Sequence, residues 1–141
     1  MRFMAIVKAT KESEAGEMPK PELVNAMMKF NEEMIKAGVM LAGEGLHPSS
    51  KGARIRFSGA KRTVIDGPFA ETKELIAGFW LLQVKSKEEA IEWIKRAPNP
   101  HPGQDTEVEL RRVYDADDFG PEISPDVKQQ EERLREKYEK K

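Results

Sequence analysis

The run Asp66-Gly67-Pro68-Phe69-Ala70-Glu71-Thr72-Lys73-Glu74 gathers four ionisable side chains around a Gly-Pro break within nine residues. Pro68 fixes its own φ and steers Gly67 out of the right-handed helical region, so the chain turns sharply after Asp66 and holds that carboxylate at a bend. Two uses are open to it. Asp66 can cap the turn while Glu71, Lys73 and Glu74 form a solvated face, or the four groups can line a polar cleft. The chain has two histidines, His47 and His101. Each stands beside a proline in a predicted loop, where scaffolds commonly present functional groups. An imidazole at His47 can act as acid or base near neutral pH if Asp66 orients its far nitrogen; otherwise it is a loop ring bonded to backbone.

Other residue types offer less. Arg54, Arg56 and Arg62 alternate along a predicted hairpin, where they can hold an anionic ligand by paired N–H contacts or simply keep a strand face soluble. Ser49 and Ser50 lie outside any Gly-x-Ser-x-Gly elbow and are set aside as nucleophiles. His47, His101, Asp66 and Glu44 lack ligand spacing such as H-x-x-x-H, so no metal is expected. Gly43-Glu44-Gly45 lacks the third glycine and the following helix of a phosphate loop, and no cofactor is expected.

The motif DGPFAETKE followed by LIAGFW, with GEGLHPSSKGARIRFSG upstream and SKEEAIEWIKRAPNPHPG and YDADDFG downstream, resembles the DGPF branch of the YCII-related family from Met1 to about Gly120. The resemblance implies a small dimeric α+β barrel of ferredoxin-like topology with a polar cleft. Taken with the residue types and loop positions above, His47 and Asp66 are the candidate acid and base, with Glu71, Lys73, Glu74, Arg54, Arg56 and His101 as candidate substrate-binding groups. In the broader family the favoured histidine lies on the first helix, whereas the predicted first helix here, from Pro21 to Ala37, contains none. Some members are encoded beside or fused to alternative sigma factors, which implies a second class of function: a non-catalytic, ligand-binding or regulatory module.

The 141 residues suit one domain, 1–120, with an appended tail, 121–141. With 24 basic and 25 acidic residues the chain is nearly neutral, and direct nucleic-acid binding is not expected. No cysteine is present, which excludes thiol nucleophiles, thiolate metal sites and disulfides. The apolar run Phe3 to Val7 is too short for a signal sequence, and no stretch is long enough to cross a bilayer. The expectation is a soluble cytoplasmic protein acting on a small molecule.

The elements that must position these groups follow from periodicity. Arg2 to Ala9 predicts a strand, Pro21 to Ala37 an amphipathic helix with a Leu23, Val24, Met27, Phe30, Met34, Ile35 stripe, and Val39 to Leu46 a second strand. Ala53 to Asp66 predicts a hairpin, Gly78 to Val84 a strand apolar at both parities, and Ser86 with Glu89 a capping box opening a second helix. Glu107 to Val113 closes the domain as a strand. Two helices cover one face of an antiparallel sheet, yet Phe3, Ala5 and Val7 oppose Met4 and Ile6, just as Phe79 and Leu81 oppose Trp80, Leu82 and Val84. The uncovered apolar set predicts a homodimer stacked sheet to sheet. Beyond Gly120, Ser124-Pro125-Asp126 starts a charged helix with Glu131–Arg135 and Glu136–Lys140 pairs and only Val127, Leu134 and Tyr138 apolar. That tail is either solvated or an arm across a partner, and it is expected to be removable.

Overall fold

The computed structural model describes residues 1–139. Six strands and four helices follow in order: β1 (Arg2–Lys8), α1 (Lys11–Glu14), α2 (Pro21–Lys36), β2 (Met40–Gly45), β3 (Ala53–Ser58), β4 (Lys61–Asp66), β5 (Ile76–Gln83), α3 (Lys87–Lys95), β6 (Val108–Arg112) and α4 (Pro125–Glu139). Four strands form an antiparallel sheet in the order β2-β5-β1-β6. β3 and β4 form a separate two-stranded ribbon inserted between β2 and β5. Without that insertion the topology is the ferredoxin-like one: β1 and β2 run parallel on either side of β5, and β6 flanks β1.

Alternation along β1 and β5 decides which face is core. Phe3 pairs with Leu82 and Ala5 with Trp80, and these four are buried with Val7, Val39, Val84, Phe30 and Met34 of α2, and Ala90 of α3. Both helices therefore cover one face. At the centre Phe30 meets Trp80 edge-on, ring centroids 5.7 Å apart, while the indole N–H donates to Asn31 Oδ1 at 2.8 Å. A T-shaped pair with its polar atom satisfied suits a buried Trp. Gly43 makes room for it, since a Cβ there would lie 2.9 Å from Trp80 Cδ1 and 2.6 Å from Met40 Cε. The glycines of Gly43-Glu44-Gly45 thus serve packing: Gly78 opposes Gly45 across the β2–β5 ladder and approaches the Glu44 carbonyl too closely for a side chain.

The opposite face carries the paired Met4 and Leu81, Ile6 and Phe79, and Ala42 beside Leu81. No helix of the core lies over it. Its β6 margin is charged: Lys8 and Arg111 each reach Glu109, at 3.4 and 3.3 Å. Hydrogen bonds from Arg111 and then Lys8 hold the Glu109 carboxyl below the ordinary carboxylate range.

Local signals account for the element ends. Ser86 Oγ accepts the Glu89 N–H at 3.1 Å, as expected of an N-cap, but the Glu89 carboxylate takes the N–H of Lys85 instead of Ser86, so the reciprocal half of the box is displaced by one residue. α1 was not anticipated. It is four residues long, closed by mutual capping between Thr10 and Ser13, and too short to show a period. Gly38 at φ +72° ends the α2 turn, a conformation that favours glycine.

α4 begins at Pro125, as expected, and the Glu131–Arg135 pair forms at 2.5 Å. Lys140, the partner expected for Glu136, lies outside the described residues. No residue of α4 is buried, and it packs mainly on the Ala116–Asp118 turn. Val127, Leu134 and Tyr138 are all exposed. Ending the chain after Asp126 should therefore lower the melting temperature by less than about 3 °C, under the shift that 1 kcal/mol gives in a domain of this size. Thermal unfolding followed by circular dichroism checks this, and a loss above about 10 °C would make α4 an integral packing element.

Candidate functional site

One end of the sheet collects nearly every loop that carries chemistry. Gly45, Gly78, Val7 and Val108 form the last ladder row there, where β1 and β2 finish and β5 and β6 begin. The segments 9–20, 46–52, 66–75 and 96–107 all leave from this row. Backbone bonds tie them to it: Leu46 N–H to the Ala77 carbonyl at 2.8 Å and Ala9 N–H to the Leu75 carbonyl at 3.0 Å.

The joint between these loops is Ser49. Its hydroxyl donates to Glu14 Oε1 at 2.5 Å, its N–H donates to Glu14 Oε2 at 3.0 Å, and its oxygen accepts the Phe69 N–H at 3.1 Å. One side chain thereby fastens α1, the His47 loop and the turn after Asp66. The Thr10–Ser13 cap sets the single helical turn that aims Glu14. Gly67 completes the joint: its N–H donates to the Gly52 carbonyl at 3.0 Å, and a Cβ on it would lie 1.8 Å from the Ser49 carbonyl oxygen. Only glycine fits a backbone approach that close. The Gly67–Pro68 peptide is cis.

Around the joint the expected residues fall as follows. His47 is exposed immediately before Pro48 and Ser49, and Asp66 is exposed at the end of β4 opposite Ala53. The loops bearing them are fastened together, yet no direct hydrogen bond links the two side chains, and Asp66 accepts none from backbone N–H groups of 67–72 among the described residues. Arg54 lies with its guanidinium 3.8 Å from the centroid of the Phe69 ring. Arg56 is exposed on the same face of the ribbon. Glu71, Lys73 and Glu74 are exposed on and beside the Thr72–Glu74 turn.

His101 has a tether. Its Nε2 sits 2.8 Å from the Lys8 carbonyl, and because a carbonyl only accepts, that nitrogen carries the proton. Asn99 Oδ1 receives both the His101 N–H and the Thr106 hydroxyl, at 2.9 and 2.7 Å. This ring anchors the 96–107 loop to the end of β1.

A model of the YCII-related domain matches residues 1–114. The chain belongs to the YCII-related family. An uncharacterised protein of Rhizobium meliloti is 37% identical to this YCII-related chain over 68 residues, 48% of this chain and 55% of the relative, so the match spans about half of that protein. Among solved structures, 5-chloro-2-hydroxyhydroquinone dehydrochlorinase of Burkholderia phenoliruptrix, in complex with 2,5-dihydroxybenzoquinone, aligns over 81% of this chain and 94% of its own at 14% identity and a TM-score of 0.45. That likeness is too low to bear on chemistry.

Residue types and spacing do not single out Ser49 or Glu14, because the role they share is to fasten loops and not to act as nucleophile or base. The one signal that pointed there was the YCII-related stretch GEGLHPSSKG itself. Gly67→Ala should destabilise the domain by about 1–3 kcal/mol, the usual range for overpacking. Ser49→Ala should cost about 1–2 kcal/mol, since the Phe69 N–H and Glu14 both lose a partner. Urea unfolding at neutral pH measures both, and a Gly67→Ala chain as stable as the parent would show that the turn relaxes freely.

Proposed function

We propose that this YCII-related domain is a soluble cytoplasmic enzyme that binds a small polar or anionic organic molecule where the 46–52 and 66–75 loops meet, and that His47 and Asp66 move a proton on it. The observation that supports this most is the Ser49 joint. It fixes both loops to the sheet through α1 while leaving the His47 and Asp66 side chains free of hydrogen bonds among the described residues. Groups held on a rigid frame yet unengaged are suited to a ligand. Arg54, held over the Phe69 ring, and Arg56 supply cationic donors for an anionic substituent, and Glu71, Lys73 and Glu74 stand at the rim. In this reading the substrate bridges His47 and Asp66, so the absence of a direct bond between them in the unliganded chain is expected.

We further infer a homodimer. Met4, Ile6, Phe79 and Leu81 form a contiguous apolar face with neither α2 nor α3 over it among the described residues, and a second copy stacked on that face through a two-fold axis covers it in both chains.

A second reading has one observation in its favour. Because His47 and Asp66 are not hydrogen-bonded, the same pair of loops can serve a ligand sensor with no acid–base step, working as a regulatory module with a sigma-factor partner. Native mass spectrometry of the purified dimer identifies retained small molecules, and turnover of those molecules separates the readings. His47→Ala should reduce turnover by about 10²–10⁴, the contribution of a general acid or base, with ligand affinity changed only a few-fold. Unchanged turnover in that variant removes the proton-transfer role; ligand binding with no turnover, and a sigma factor recovered with the bound form, favours the regulatory module.

A further inference from the structure

The β3–β4 ribbon stands away from the domain. All of its residues are exposed and its strands pack extensively only on each other. Ile55, Val64 and Phe57 share one face of it at 53%, 67% and 70% exposure. An isolated two-stranded hairpin is marginal in water, so an apolar face this open calls for a cover.

Charge indicates the cover. Between Gly45 and Ile65 stand five bases, Lys51, Arg54, Arg56, Lys61 and Arg62, with no Asp or Glu. None of the five is ion-paired among the described residues. Between Tyr114 and Asp126 stand five acids, Asp115, Asp117, Asp118, Glu122 and Asp126, with no Lys or Arg. Arg2 and Arg112 engage Asp115, and Arg112 also engages Asp118, leaving Asp117, Glu122 and Asp126 unpaired among the described residues. This acidic segment has an exposed apolar surface of its own, the stacked rings of Tyr114 and Phe119 with centroids 5.6 Å apart.

Within one chain the two segments are kept apart. The ribbon leaves the β2 edge in the row of Gly45 and Val108; the acidic segment leaves the β6 edge at the other end, in the row of Met40 and Arg112. They occupy diagonally opposite corners. Four strands spaced about 4.8 Å apart, each about 17–27 Å long, make the sheet roughly square. When two such sheets stack with strands crossing near 90°, one of the preferred sheet packings, the two-fold axis runs along one of the two diagonals, and along the diagonal that misses these two corners it exchanges them; the opposite charges select that diagonal.

We propose that the basic ribbon of each copy docks on the Tyr114–Asp126 segment of a second copy, forming two symmetric clasps. The inference rests on the sheet-face dimer proposed above. It brings Arg62, which stands opposite Phe57 on the ribbon's apolar face, to the acids and gives Ile55, Phe57 and Val64 an aromatic cover, while Arg54, Arg56 and Lys61 on the reverse face add attraction at longer range. It also completes the candidate site, because the docking face carries Asp66 at the ribbon root, so the second copy's segment supplies a wall there that one chain lacks.

The chain has no cysteine, so single thiols can be placed freely. Ser58→Cys lies at the ribbon tip, and Gly120→Cys lies where nothing sits within 4 Å of the added Cβ. The two variants are mixed, unfolded and refolded together, and treated with a short bis-maleimide; the mass of each species is read alongside sedimentation of the unlabelled mixture. The expected result is a dimer with Ser58→Cys joined to Gly120→Cys and little joining of like with like. A dimer in which that mixed product is no more abundant than like-with-like products overturns the clasp and leaves the sheet-face dimer standing. A monomer at micromolar concentration overturns both. In parallel, Arg62→Glu, on the docking face, should weaken the dimer about tenfold or more, and Asp117→Lys with Glu122→Lys in the same chain should restore it. Failure of that reversal to restore the dimer counts against the clasp.

Discussion

A sheet with apolar side chains on both faces and helices on only one is the constraint from which the rest of this molecule follows. Leu82 and Trp80 bury themselves against Phe30 and Met34, and by the strict alternation of a strand Leu81 and Phe79 must then face the other way. No rotation of the strand relieves this, because a one-residue slip only exchanges the two sets. The proposed dimer is the response to that geometry. It makes the edges and corners of the sheet, where the loops with chemistry leave, into places where two chains meet.

At one such corner the protein has invested its least replaceable local contacts. Ser49 holds together segments 35 and 20 residues distant, through Glu14 and the Phe69 N–H. Gly67 permits the approach by having no Cβ. Much of the polar bonding at this end is spent on fixing loops, including the His101 ring on the Lys8 carbonyl. His47 and Asp66 remain outside that network. The contrast between a fully engaged frame and two unengaged ionisable groups is the physical basis for reading a ligand site there.

Much of the fold was legible in the sequence because its signals are local. The alternation in β1 and β5, the α2 stripe ending at Gly38, the Ser86 cap and the Pro125 start of α4 all depend on neighbours within a few residues. The family resemblance added the topology. The site was legible only in part. The DGPF turn and the His47 loop were identified, but the residue that joins them was not, since a hydroxyl shared between Glu14 and Phe69 leaves no pattern at any helical or strand period. α1 escaped for a related reason, being a single turn stabilised by Thr10 and Ser13. The near-zero net charge also concealed structure: five bases from Lys51 to Arg62 and five acids after β6 cancel in the sum, yet they sit at opposite corners.

Whether a second copy covers the open face decides how the apolar side of this sheet is buried. Small-angle X-ray scattering of the unmodified chain, with forward scattering calibrated to mass across a concentration series in the micromolar range, addresses this directly. Twice the chain mass of 16.0 kDa, about 32 kDa, held constant on dilution, with a compact scattering profile, is the predicted result. A mass of 16.0 kDa at every concentration would leave Met4, Ile6, Phe79 and Leu81 facing water and contradict the account.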